Sequence, residues 1–362
     1  MTNSKYWDIY RTLTHNALFY FILGNRTAGK SFGCKEYAIK NFISKREQFA
    51  YVRRTREDLK DSGKEFFKDV SDKFPGYEFK VDGNRFYCRL KVDEDAKVSW
   101  TEDDICGYGI NLTTASNKKS IPYPKVTLII FDEFLIDKEG GNQRFIKDEP
   151  RALFNLYETI ARPGTEHPRV IMFLLANSTS VNNPYFIKLD LKCPDPETDK
   201  PDKNGKFIWH HPTKPIVVEN VVKKEMVEAK QQTEFYQIIR GTGYDDFSIK
   251  NKFINDDDTF VEKRSSTAKP FFRFIYKGQT FGVWINMLEG LMWVSEQYDP
   301  GYPVVYSLTM KDHKPNTLFL RSKRQAQHFN AFIQAYKDGD VRFESILIKS
   351  ICYEVIKLTM SI

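Results

Sequence analysis

The sequence predicts an α/β fold: a sheet of mostly parallel strands, followed by a smaller unit rich in strands. Three observations predict it. Nearly continuous apolar runs at 17–23, 126–131 and 170–176, joined by a shorter one at 48–53, have the texture of strands buried on both faces. Stretches of helical periodicity separate them, and alternating strands and helices imply a parallel sheet. After residue 193 the texture changes, and strand-like runs follow one another with few helices between them.

Each element has its own reason. The run ALFYFIL at 17–23 is closed by Gly24 and reads as a buried strand. A helix follows from Lys30, with Phe32, Ile39 and Ile43 spaced to keep one face apolar. Residues 48–53 read as a strand and 56–74 as an amphipathic helix; 77–81 and 85–90 flank the turn DGN and read as a hairpin. The third buried strand is 126–131. Residues 150–162 form a helix with Leu153, Leu156 and Ile160 on one side, stopped by Pro163 and Gly164, and 170–176 is the fourth strand. The segment CPDPETDKPDKNGK at 193–206 reads as an exposed loop. A last strand at 216–222 and a polar helix at 223–239 precede Gly241-Thr242-Gly243. Strand-like runs at 271–276, 281–285, 291–294 and 304–308, then a helix at 326–336, make up the second unit. The expected organisation is a first domain at 1–210, a linker at 211–243 and a C-terminal domain at 244–362.

Bulk properties set limits on function. A chain of 362 residues is long enough for two domains. Its net charge of +7 is compatible with a polyanionic partner without requiring one, and most of the surplus lies before residue 241. There is no internal repeat, no secretory signal and no apolar run long enough to span a membrane, so no membrane role is expected. Cys34, Cys88, Cys106, Cys193 and Cys352 are odd in number and never form a C-x-x-C pair. That argues against a disulfide framework or zinc site and for a reducing, cytosolic compartment.

The chemistry begins at Gly24-Asn25-Arg26-Thr27-Ala28-Gly29-Lys30-Ser31, which fits G-x-x-x-x-G-K-[ST] without a mismatch. Glycines let backbone amides close around phosphate oxygens, and the following helix points its N-terminus at them. Lys30 would reach the β and γ phosphates of ATP and the Ser31 hydroxyl would ligate Mg²⁺. The preceding strand and following helix are the context this motif requires. A second piece is the run LIIF ending in Asp132 and Glu133. Taken alone, two acids there could equally begin a loop. Paired with the P-loop, Asp132 would hold the Mg²⁺ shell and Glu133 would activate water, which favours hydrolysis.

A third piece is Asn177, at the end of the strand 170–176. It is either a γ-phosphate sensor or a loop-start Asn bonded to its own backbone. With it, the fold class becomes a P-loop ATPase domain of the ASCE type. Basic residues supply candidates for transition-state stabilisation: Arg26 inside the loop, Lys118 and Lys119 before the acidic strand, and Arg162 after the helix. From spacing alone each is better read as a solvated cation or a helix C-terminal cation favoured by the dipole. Arg53, Arg54 and Arg56 read as surface residues able to touch a phosphate backbone.

The order GNRTAGKS, NKKSIPYPKVTLIIFDEF, EP-x-ALFNL-x-ETIAR and LLANSTSVNNPYF resembles the DNA-packaging ATPases of phi29-like tailed bacteriophages. IIRGTGYDDFSIKNKF and YKGQTFGVW extend the likeness to about residue 297. The P-loop and acidic strand are generic; the NPYF and NKF segments are the family-specific part. The resemblance implies a homomeric, pentameric ring in the host cytoplasm, docked at the portal vertex of a procapsid. Such a ring drives double-stranded DNA inward with ATP, and an RNA adaptor between ring and portal is a further partner candidate.

Carried over by position, Lys30 and Ser31 fall in Walker A, and Asp132 and Glu133 in Walker B. Arg162 falls on a trans-acting arginine finger, Lys119 on a trans-acting lysine and Asn177 on a coupling position. The C-terminal domain of the family resembles an RNase H-like nuclease without its catalytic acids. Here Asn286 stands where an acid would be wanted, and Asp256, Asp257 and Asp258 sit in a polar run that reads as a loop. The domain therefore reads as a binding module, with Arg321, Lys323 and Arg324 as its densest basic cluster, facing nucleic acid, procapsid or solvent. Two alternatives are a terminase-like enzyme that also cuts DNA, and a nucleotide-binding scaffold with little turnover.

Overall fold

Side chains alternate across the first strand, β1 (Phe19–Gly24). Tyr20 and Ile22 enter one apolar layer while Phe21 and Leu23 enter the other, all fully buried. A strand wrapped on both faces needs helices on both sides of its sheet. The computed structural model supplies them, describing residues 6–25, 28–92, 98–115, 123–136, 145–146, 148–162, 169–177, 183–196, 199–222, 228, 231–239, 260–320 and 326–360.

The chain divides into two units, Met1–Asn255 and Asp256–Ile362. The first holds a nine-stranded sheet. Besides β1, its strands are β2 (Gln48–Arg53), β3 (Tyr77–Asp82), β4 (Arg85–Leu90), β5 (Ile105–Asn111), β6 (Val126–Asp132), β7 (Ile171–Ala176), β8 (Phe207–His210) and β9 (Ile216–Val221), in the order β3-β4-β5-β2-β6-β7-β1-β9-β8. Strands β5, β2, β6, β7, β1 and β9 run parallel, and antiparallel strands close both edges. Helices α1 (Ile9–Leu13), α2 (Lys30–Lys45) and α3 (Arg56–Lys64) lie on one face, where Ile39, Phe42 and Leu59 are buried. Helices α4 (Leu112–Ala115), α5 (Glu149–Ile160) and α6 (Pro184–Leu189) pack on the other through Leu112, Leu153, Leu156 and Phe186. A short helix α7 (Glu234–Ile239) is the described end of the expected helix at 223–239.

Three expectations are corrected. The expected helix at 56–74 stops at Lys64 and gives way to turns and a 3₁₀ turn at Ser71–Lys73. There Phe66, Phe67, Val70 and Phe74 are buried at helix-like spacing, although the backbone forms turns. Strand β5 was not anticipated, because Gly107 and Gly109 interrupt its apolar pattern. The boundary expected at residue 210 falls inside the hairpin of β8 and β9. The parallel pairing of β9 with β1 extends the sheet through Val221, since the side chains of β9 are buried as a central strand requires.

In the second unit, β10 (Lys269–Tyr276), β11 (Gln279–Asn286) and β12 (Leu291–Ser295) form an antiparallel meander. Strands β13 (Val305–Ser307), β14 (Leu318–Phe319) and β15 (Val341–Phe343) add to it in the order β14-β13-β10-β11-β12-β15. Helix α8 (Gln327–Asp338) sets Phe329 and Phe332 against Phe272 of β10, and α9 (Ile346–Met360) buries Ile351, Cys352 and Val355. No helix among the described residues is long and apolar enough to cross a membrane. All five cysteines are free thiols; Cys34, Cys88, Cys106 and Cys352 are buried, which pushes their thiol pKa values up.

Candidate active site

The site lies at the ends of β1, β6, β7 and β2. Gly24, with φ +155°, ends β1 so close to β9 that an added Cβ would lie 2.8 Å from the Val221 carbonyl oxygen. Gly29, with φ +81°, turns the chain into α2, and the Tyr6 side chain packs against it. Between them Ala28 is buried, its carbonyl accepting the Trp7 N–H at 2.9 Å. Arg26 and Thr27 lie outside the described residues, as do Lys118 and Lys119. Lys30 is buried, and its ammonium donates to the carbonyls of Gly24 at 2.7 Å and Asn25 at 2.9 Å. Charged phosphate oxygens are stronger acceptors than these carbonyls, so bound nucleotide would draw the ammonium to itself.

Strand β7 lies between β1 and β6, so the P-loop and the acidic strand stand one strand apart. Across that gap Ser31 Oγ donates to Asp132 Oδ1 at 3.0 Å. Adjacent ligands of an octahedral Mg²⁺ are about 2.9 Å apart, given Mg–O bonds of about 2.0–2.1 Å. The two oxygens therefore fit neighbouring places around that ion. The register Leu23↔Ala176 brings Asn177, half-buried, level with Gly24 at the mouth of the loop.

Glu133 follows β6 at φ +60°, a conformation uncommon for a residue with a Cβ and one that persists only where the surroundings impose it. Here they do. Arg53, at the end of the neighbouring strand β2, donates through Nη2 to Glu133 Oε2 at 2.6 Å and through Nη1 to the Asp132 carbonyl at 3.3 Å. The same Nη1 stands 3.9 Å from Asp132 Oδ2. Burial works against the Arg53 charge, but Tyr51, Glu133 and Asp132 outweigh it and its pKa is raised. Burial, with Asp132 beside it, raises the Tyr51 pKa strongly, so the phenol stays protonated and donates to Asp132 Oδ2 at 3.4 Å.

Arg53 and Arg54 are therefore not the surface residues their spacing suggested: they are 9% and 5% exposed. The missed signal was position, since basic residues that end a strand beside the acidic strand face its carboxylates. Arg162 stands exposed, two residues beyond the end of α5. Asn286 is buried, and its side chain accepts the Leu288 and Glu289 amides while donating to Thr267, so it caps the β11–β12 turn. Asp256, Asp257, Asp258, Arg321, Lys323 and Arg324 lie outside the described residues.

A family model of the podovirus DNA encapsidation protein (Gp16) matches residues 1–361. The chain belongs to that family. Among its relatives is a DNA packaging protein of Bacillus phage B103, 35% identical over 345 residues, which span 95% of this chain and 98% of that protein. The DNA packaging protein of Bacillus phage phi29 is 33% identical over 357 residues, 99% of this chain and 98% of that one. A chain of the solved bacteriophage phi29 viral genome packaging motor assembly superposes with a TM-score of 0.68. It shares 32% identity, covering 98% of this chain and all of that one.

Proposed function

We propose that this encapsidation-family chain packages DNA as an ATP-hydrolysing motor subunit that moves double-stranded DNA through a procapsid portal. The observation that carries this is the convergence of Lys30, Ser31, Asp132 and Glu133. In this reading the P-loop holds the phosphates of ATP, and Ser31 and Asp132 hold Mg²⁺, which would polarise the γ-phosphate. Glu133 takes the proton of the attacking water, with Arg53 orienting its carboxylate.

Arg162 and Lys119 act in trans on the γ-phosphate of the next subunit, and Asn177 senses its loss. The exposure of Arg162 beyond α5 supports that reading. The ring is a homo-oligomer, a pentamer by the family likeness. It stands at the portal vertex in the host cytoplasm and docks directly or through an RNA adaptor.

The second unit is an RNase H-like binding module. What supports this is its sheet, a meander with parallel strands added on the β10 side, and a central β10 that carries no acid. Lys30→Ala tests the whole reading. The variant should lose Mg²⁺·ATP binding and ATP-driven uptake of DNA into procapsids, while its melting temperature stays near that of the parent. A variant that still packages DNA would overturn it.

A further inference from the structure

The family-specific segment NPYF, residues 183–186, takes no part in the chemistry above. Asn183 Oδ1 accepts the amides of Tyr185 and Phe186, each at 3.1 Å, and Pro184 opens α6. This cap fixes the direction in which Tyr185 leaves the helix. Tyr185 is fully buried, with its ring edge-on to Phe131 and Phe134, the residues flanking Asp132 and Glu133. Burial and the adjacent Glu149 raise its pKa well above the usual value, so the hydroxyl keeps its proton and donates a hydrogen bond to Glu149 Oε1 at 2.8 Å.

Glu149 has no exposed surface, and both its oxygens are doubly engaged. Oε1 takes the Tyr185 hydroxyl and Arg54 Nη2 at 3.1 Å, while Oε2 takes Arg54 Nε and the Ile146 amide, each at 2.9 Å. Arg54 donates further to the carbonyl of Glu133 at 3.3 Å and that of Phe134 at 2.6 Å. A buried ion pair is weak evidence for stability, because desolvating both charges offsets their attraction. The position of this one suggests another use. It grips the backbone of Glu133, a site residue with a Cβ held at positive φ, while Arg53 grips that residue's carboxylate.

We propose that Arg54, Glu149 and Tyr185 are positioning residues that fix the backbone of Glu133, and so aim its carboxylate at the attacking water. The proposal rests on the reading of Glu133 as general base. It also gives NPYF a role: the segment delivers the hydroxyl that fixes Glu149, which in turn holds the Arg54 fork over the carbonyls.

The test uses the full-length chain, measuring steady-state Mg²⁺·ATP turnover alongside affinity for a fluorescent ATP analogue. Arg54→Lys keeps the charge and loses the fork, so kcat should fall about tenfold or more through misplacement of Glu133. Analogue affinity should stay within about twofold, because the P-loop is untouched. Tyr185→Phe keeps the ring and loses only the hydroxyl, and should lower kcat about threefold. In a Glu133→Gln background either change should alter residual turnover by less than about twofold, since the relay acts only through Glu133. A general structural defect would instead give the same factor in both backgrounds, and that result would overturn the proposal. So would unchanged kcat in both variants while Glu133→Gln is crippled. Normal turnover in Glu133→Gln alone would remove the base assignment, and the positioning role with it. If Arg54→Lys unfolds, Tyr185→Phe carries the test by the same thresholds.

Discussion

Two arginines, adjacent in sequence, divide the handling of Asp132 and Glu133 between them. Arg53 reaches the Glu133 carboxylate and Arg54 reaches its carbonyl, so one holds the side chain and the other the backbone. In a nearly dry setting, carboxylates and carbonyls meet the N–H groups of both. Arg162 works by a different logic: exposed at the end of α5, it has its proposed target in a neighbouring subunit. Arg162→Ala should therefore leave ATP affinity of the isolated chain within about twofold, yet cut turnover of the assembled ring about 10³-fold. Assembled turnover equal to the parent's would take Arg162 out of that role.

At the scale of elements, the site depends on strand neighbours that must come very close. Gly107 of β5 lies beneath Phe49 of β2, and a Cβ there would stand 2.5 Å from the ring. Phe49 cannot swing away freely, because it is stacked on Phe66 with centroids 4.9 Å apart and abuts Phe86. Gly107→Ala should therefore destabilise the chain by about 1–3 kcal/mol, the usual cost of overpacking. Urea denaturation measures it, and a midpoint equal to the parent's would show that the ring yields. Since β2 ends at Arg53, strain there should also reach the Glu133 carboxylate. The capping box of Thr55 and Asp58 then starts α3 immediately after the two arginines, which fixes where β2 must stop.

Across the whole molecule, a charge of +7 on 362 residues is modest for a DNA-binding chain. Phosphate contacts dominate DNA affinity, so a modest, spread surplus suits a motor that must release its track on each cycle. The second unit fits a binding role in the same way. Two-metal nucleases need carboxylates converging on cations about 3.5–4 Å apart. Strand β10 reads KPFFRFIY, and Asn286 is committed to capping its turn. The full-length chain should leave supercoiled plasmid intact in Mg²⁺ or Mn²⁺, read on an agarose gel. Cleavage abolished by Asp-to-Ala substitution in 256–258 would return the terminase-like reading.

By itself the sequence determined the parallel-sheet class, the P-loop with its helix, the acidic strand and the strand-rich character of the second unit. Each is written locally: continuous apolar runs for strands buried on both faces, and glycines where backbone must approach phosphate or turn at positive φ. Residues whose meaning depends on distant partners were not legible. Arg53 and Arg54 read as surface cations until β2 is set beside β6, and Glu149 looks like an ordinary acid at a helix start. Strand β5 stayed hidden because its glycines make room for Phe49 and Leu59, side chains that belong to other elements. The domain edge moved past 210 because strand β9 is defined by pairing with β1, some two hundred residues earlier. Tertiary structure decided these because burial and pairing bring together side chains far apart in the chain. Only there does a charge meet the partner that makes it a clamp rather than a solvated surface.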